Sequence, residues 1–372
     1  LSAEFAGRGI TAPCCTRGRD MSPRIFLGWL VLTAVTVVLT IVVGLGRETS
    51  SFDLIEREPV FAQLRDAPES ATKIEIESRF GAFTMNQGGD GWVTPERDDY
   101  PIDEGDIRRL IVGLSDMRYV ERKTSNPERF YRLEVQDIET ELSDSVYVKV
   151  QNAQGGVLAE TIVGRPSARF FEGRASGTYI REAGTNNVWL VTGVTNVQTR
   201  LIPWLKRNIV GIPANRVASI SVGTGEGAYT ISRNAPEDEG FSITGAPEGR
   251  KLDGDKATSV SRALASVELE DVRPRTELAL PDDASVASVT TFDGLTVNVR
   301  LAELDRKKWA IFDAAYTGDP ADQSEGAVAA RASVEEINAR VGKWVYWLPS
   351  ATFTNLTRPI DDVLVAKDDD SS

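Results

Sequence analysis

Histidine is absent from all 372 residues, cysteine occurs twice and methionine three times. Without histidine there is no Ser-His-Asp or Cys-His catalysis, no His-ligated zinc and no ordinary general base near neutral pH. The two cysteines, Cys14 and Cys15, are adjacent, a spacing that seldom closes a disulfide, and two ligands cannot complete a structural zinc site. The remaining chain has no thiol, so apolar cores must hold it together. A Gly-x-x-x-x-Gly-Lys-Ser/Thr phosphate loop is also missing, so any ATPase would be a separate subunit. Basic residues are in deficit, 42 against 55 acidic ones, giving a net charge of −13. No Lys/Arg stripe interleaved with aromatics appears, and such a surface repels phosphate backbones, so nucleic acid is not a partner.

One run stands out among what is present. Ile25–Gly46 holds 22 residues without a charge. At 1.5 Å of helical rise per residue it reaches about 33 Å, enough to cross a hydrocarbon core of about 30 Å. It is longer than a secretory apolar stretch, and Gly44-Leu45-Gly46-Arg47 is a poor cleavage site, so a retained anchor is expected. Arg17, Arg19 and Arg24 precede the run; Arg47 and Arg57 follow it among Glu48, Asp53, Glu56 and Glu58. That bias orients the chain N-terminus in, body out, placing the body in the periplasm of an inner (cytoplasmic) membrane protein. Met21 is a candidate translation start within an aperiodic leader.

The body reads as a duplicated α+β module. Lys73-Ile74-Glu75-Ile76 and Ala218-Ser219-Ile220-Ser221-Val222 alternate as half-buried strands. Phe83-Thr84-Met85 and Tyr229-Thr230-Ile231 supply second strands, and stretches with Trp92 and Phe241 supply third ones. Asp103 or Asp106 caps a helix bearing Ile107, Leu110, Ile111 and Leu114. Asp253 or Asp255 caps another bearing Val260, Ala263, Leu264 and Val267, with Asp103 and Asp253 150 residues apart. Val146, Val148 and Val150 are echoed by Val297, Val299 and Leu301, and Val194-Thr195-Asn196-Val197 by Phe353-Thr354-Asn355-Leu356. Thr199–Lys206 and Glu335–Val341 are further helix candidates, and Lys343–Leu348 a late strand with aromatics on both faces.

The expected organisation is a leader over 1–23, a transmembrane helix over 24–46 and a connector over 47–71. Modules follow over 72–213 and 214–365, each a largely antiparallel sheet with packed helices, then an acidic tail over 366–372. The body is long enough for two cores.

The order of short motifs resembles the bacterial family known as domain of unknown function 4340. The resemblance rests on Pro59-Val60-Phe61, Gly91-Trp92, the helix Ile107–Leu114 with Tyr119-Val120, and Phe130-Tyr131-Arg132-Leu133. It continues through Ile162-Val163-Gly164, Gly177-Thr178-Tyr179-Ile180-Arg181, Val188-Trp189-Leu190-Val191 and Trp204. Arg132 stands where that pattern often has glycine. The resemblance implies a single-pass envelope protein accompanying ABC-type transport systems, including gliding-motility auxiliary components. It brings no catalytic residues.

Candidate chemistry within the body is thin. Asp98-Asp99, Asp282-Asp283 and Asp361-Asp362 are adjacent carboxylates, whereas a hydrolase pair needs two acids facing across a cleft. Asn86–Gly91 lacks calcium-loop spacing, and Gly223–Gly227 precedes a strand and carries Glu226, which opposes an anion; both read as turns. Trp92, Trp189 and Trp309 read as core, Trp204 as packing on the sheet, and Trp344 and Trp347 as opposite in strand parity. No catalytic, cofactor-binding or metal-binding residue is assigned. The expected function is a noncatalytic, membrane-anchored accessory or scaffold subunit of an ABC-type transport system. Its partners would be the bilayer through Ile25–Gly46 and permease and ATPase subunits. The alternative is a periplasmic binding module for a glycan or other envelope ligand.

Overall fold

The computed structural model describes residues 58–167, 177–193, 197–238 and 240–365. Ile25–Gly46, the cysteines, Val194–Asn196 and the acidic tail lie outside them. Among the described residues no helix is long and apolar enough to cross a membrane. The described body is mixed sheet and helix, dominated by two large antiparallel sheets.

The first sheet contains β1 (Ala71–Ser78), β2 (Gly81–Gly88), β3 (Gly91–Thr94), β4 (Tyr100–Pro101) and β5 (Tyr119–Thr124). It continues with β6 (Val146–Asn152), β7 (Val157–Ser167), β8 (Gly177–Glu182) and β9 (Val188–Thr192). Its spatial order is β4-β3-β2-β1-β6-β7-β8-β9-β5. A short pair, β10 (Asn208–Val210) with β14 (Val267–Glu268), stands apart. The second sheet contains β11 (Val217–Val222), β12 (Tyr229–Ser232), β13 (Ser242–Thr244), β15 (Asp271–Pro274) and β16 (Ser285–Thr291). It is completed by β17 (Leu295–Leu304), β18 (Lys307–Tyr316) and β19 (Trp344–Trp347), in the order β13-β12-β11-β16-β17-β18-β19-β15. Apart from the two-residue β4, the two sheets have the same strand order.

Alternation produces this arrangement. Ile74 and Ile76 on β1, and Ile220 and Val222 on β11, face the core while their neighbours face outward. After α1 (Ala62–Asp66), helix α2 (Glu104–Ser115) packs Ile107, Leu110 and Leu114 inward. Its N-cap Asp103 accepts from the backbone N–H groups of Gly105 and Asp106. Asp253 caps α3 (Gly254–Ser261) in the same way, through Asp255 and Lys256. Helix α3 is shorter than its spacing implies, because its sequel is claimed by other segments. The Leu264 carbonyl accepts from Ile212 N at 2.7 Å, and Val267 pairs with Val210 in the β10–β14 ribbon.

Other expectations are corrected by the same kind of competition. Thr199–Lys206 is not a helix: Pro203 lies within it, only Ile202–Trp204 makes a 3₁₀ turn, and Leu205 bridges Ile102. Helix α4 (Glu325–Val341) begins ten residues before the expected Glu335, since its first half is alanine-rich and carries little apolar pattern. Ser324 caps it, and the Asn338 amide both donates to and accepts from the Ala314 backbone on β18. Val297, Val299 and Leu301 lie on β17, whereas the strand beside β11 that corresponds to β6 is β16. Phe353–Leu356 lies in α5 (Ser350–Leu356), which precedes α6 (Ile360–Val363).

Instead of two separate cores, one contiguous apolar cluster runs from Leu64 and Ile74 through Tyr100 and Trp344 to Phe312 and Leu364. Two satellites cover outer faces: Phe130, Val135, Ile162 and Val188 in the first half, and Leu280, Trp309 and Val345 in the second.

The halves meet along an extended segment. The Lys206 N–H donates to Pro101 O at 2.9 Å and the Asp103 N–H to Trp204 O at 2.8 Å, tying it to the first half. The Leu269 N–H donates to Arg207 O at 3.0 Å, tying the next residue to the second. Beside this seam the Tyr100 ring meets Trp344 edge-on at 5.0 Å between centroids, and Tyr346 at 6.4 Å. Arg97 forks onto Asp271, Nε to Oδ1 at 2.8 Å and Nη2 to Oδ2 at 3.4 Å, with both side chains largely covered.

Two outcomes follow from this seam. Arg97→Ala strands the covered Asp271 carboxylate and should cost about 3 kcal/mol in urea unfolding, with Arg97→Lys recovering only part because it lacks the fork. Burial pushes the Tyr100 phenol up to about 12 and the Tyr346 phenol well above its ordinary value. Tyr119 and Tyr229 are pushed up to about 12 by burial as well. Unfolded phenols ionise near pH 10, so the unfolded chain releases protons that the folded chain keeps. Their contribution is whole below about pH 10 and falls as pH climbs through 12. Thermal unfolding across that window should show stability falling, and Tyr100→Phe should flatten the fall.

Candidate functional site

The sequence-flagged carboxylate pairs do not converge. Asp98 and Asp99 occupy consecutive left-handed positions in the exposed turn before β4, with φ of 53° and 60°. Asp282-Asp283 is exposed before β16, and Asp361-Asp362 is exposed in the first turn of α6. Asp361 lies 3.6 Å from Arg250. Asn86–Gly91 contains the tight β2–β3 turn, with Gly88 facing Gly91 and φ of 119° at Gly91, a value L side chains rarely adopt. Gly223, Gly225 and Gly227 all have positive φ in the β11–β12 turn. Among the described residues, no group of three or more His, Cys, Asp or Glu side chains is placed to hold a metal ion.

The tryptophans are mostly structural. Trp92, Trp204, Trp309 and Trp344 are buried, and Trp204 Nε1 donates to Gln198 O at 3.0 Å. Trp347 is only half-buried, at 4.8 Å from the Lys307 ammonium and tilted against Trp309. The face of β19 that carries Trp347 is therefore not a free aromatic patch, because Val345 beside it packs with Leu280 and Trp309.

Three clefts stand out among the described residues. A cleft of about 450 Å³ opens where β6, β7 and β8 end, between Glu134, Asp144, Arg165 and Thr199. There Gly164 lets two backbones touch: an added Cβ would lie 2.2 Å from Leu133 O. A polar cleft of about 280 Å³ lies between α4 and the linker Asn208–Arg216. The third, about 340 Å³, is the best candidate for contact with another molecule. Its apolar lining comes from Pro68, Trp92, Ile107, Ile111 and Val112, and its rim from Glu69, Gln87, Glu104 and Arg108. Val112 is 48 % exposed on the open side of α2, where it extends the apolar lining to the surface.

Three distant stretches build this groove. The Asp103 cap fixes where α2 starts, which sets Ile107, Ile111 and Arg108 on the face toward the β2–β3 turn. Gly91 leaves room for Glu104, whose Oε1 would lie 2.7 Å from a Cβ there. The helical stripe was legible in sequence, but Glu69 and Gln87 gave no signal because only the fold brings them alongside. Carboxylates, an amide and a guanidinium around an apolar floor can bind and orient; they do not form a nucleophile–base pair.

One ionised pair near the polar cleft is tuned. Burial opposes the Asp293 charge, yet hydrogen bonds from the Thr291 hydroxyl and from Arg216 outweigh it and hold the carboxyl below its usual range.

No curated protein and no solved structure matches the chain. Residues 92–286, which include the groove helix, most of the first sheet and the segment that joins the halves, match the family described as Domain of unknown function (DUF4340), and the chain belongs to that family.

Proposed function

We propose that this protein is a noncatalytic, membrane-anchored extracytoplasmic accessory or scaffold subunit of an ABC-type transport assembly. In this reading Ile25–Gly46 crosses the inner membrane and two duplicated modules stand in the periplasm. The observation that carries it is the single apolar cluster continuous through two sheets of the same strand order. Two repeats fused through one core make a stiff spacer, suited to holding partners at a fixed distance and poorly suited to hinge closure over a substrate. The exposed groove along α2 supplies a contact surface, and the family resemblance implies the transport partners. The glycan-binding alternative has less support, because Trp92 is 8 % exposed and offers no open ring face for a sugar.

Purification of the full chain in mild detergent should recover a multi-span permease or an ATPase. Val112→Glu should reduce that recovery about tenfold, the effect of about 1.4 kcal/mol at an interface. Its melting temperature should stay within about 2 °C, since Val112 is a surface position. Reproducible isolation as a lone protein, or unchanged recovery with Val112→Glu, would count against the assembly or against this groove respectively.

A further inference from the structure

The polar cleft between α4 and the linker holds two arginines in unequal states. Arg216 is engaged: its Nη2 donates to Asp293 Oδ2 at 2.7 Å. Arg340 is not. Its Nε is buried without a hydrogen-bond partner, and its nearest carboxylate is Glu336, with Oε1 3.6 Å from Nη1, too long for a hydrogen bond. Glu336 is 75 % exposed and sits at the rim. Arg340 lines the cleft, and its buried Nε has lost water without gaining a partner, which leaves the guanidinium under-satisfied beside a cavity. Asn208 and Ser333 add neutral polar groups to the lining.

We propose that this cleft binds a small oxyanion-bearing ligand, a carboxylate or a phosphate, with Arg340 and Arg216 as its cationic partners. Asp293 orients Arg216 and leaves its remaining donors for the ligand, while Arg340 supplies the Nη groups at the tip of its guanidinium. Glu336 is a rim carboxylate that opposes the anion. At about 280 Å³ the cleft suits a small metabolite or inorganic anion and excludes a folded peptide. The site lies against the seam. The Tyr346 hydroxyl donates to the Arg340 carbonyl at 3.5 Å, and the Arg340 charge reaches both Tyr100 and Tyr346. Asn208, Gly211 and Ile212 belong to the linker that joins the halves. A bound anion would therefore brace the linker against α4, giving the assembly a ligand-sensitive element.

The test is calorimetry and thermal unfolding of the full chain in detergent, with inorganic phosphate and with succinate in separate arms. Chloride at matched ionic strength is the control. Saturable binding in either arm, with a rise in melting temperature that chloride does not reproduce, is expected; the responding arm identifies the class. Arg340→Gln should weaken binding at least about tenfold, and Glu336→Gln should tighten it several-fold by removing the opposing charge. Absence of saturable binding in both arms overturns the proposal. If Arg340→Gln fails to fold, Glu336→Gln decides, and an unchanged affinity there overturns it as well.

Discussion

The rest of the structure depends on where the chain between Trp204 and Ile212 makes its backbone hydrogen bonds. Leu205 and Lys206 pair with Ile102 and Pro101 of the first half, while Arg207, Asn208 and Val210 pair with Leu269, Glu268 and Val267 of the second. Backbone groups covered by both halves must find partners, and this alternation satisfies them from each side in turn. The Tyr100–Trp344–Tyr346 cluster closes over the same line, and the Arg97–Asp271 fork fixes its lateral register. Removing the seam would divide one core into two smaller ones, each with an aromatic face in water.

The same device recurs at both ends of the body. Val365 N donates to Lys251 O, Asp253 N to Val363 O, and Leu252 bridges Leu364, as Lys206, Asp103 and Ile102 do with their partners earlier. Tyr119 N donates to Glu58 O and Val60 N to Met117 O, as Leu269 does with Arg207. Each half is thus closed by a strand-like segment arriving from outside its sheet. The internal differences are then informative. Helix α4 is inserted between β18 and β19, where the first half has only a short turn between β8 and β9. The polar cleft with Arg340 exists only because of that insertion.

Much of the fold was legible because alternation and capping are local. The β1–β2 and β11–β12 pairs, the Asp103 and Asp253 caps, and the late strand at Trp344 follow from residue type and spacing. What failed was decided at long range. Val260–Val267 has a helical spacing, but Ile212 and Val210 claim Leu264 and Val267. Val297, Val299 and Leu301 alternate as well as Val146, Val148 and Val150 do, and alternation alone does not tell β17 from β16. The candidate site is less legible still: the spacing of Ile107 and Ile111 implies only a core stripe, while Glu69, Gln87 and Val112 acquire meaning only beside them.

A stiff spacer and a hinged pair of modules differ in one observable, the stability of the seam relative to the sheets. Native-state hydrogen exchange on the full chain measures it residue by residue. The amides of Lys206, Ile212 and Leu269 should open with the same free energy as those at the centres of β6 and β17, as one cooperative unit. Exchange of these three in a separate, earlier phase, with both sheets still protected, would contradict the account.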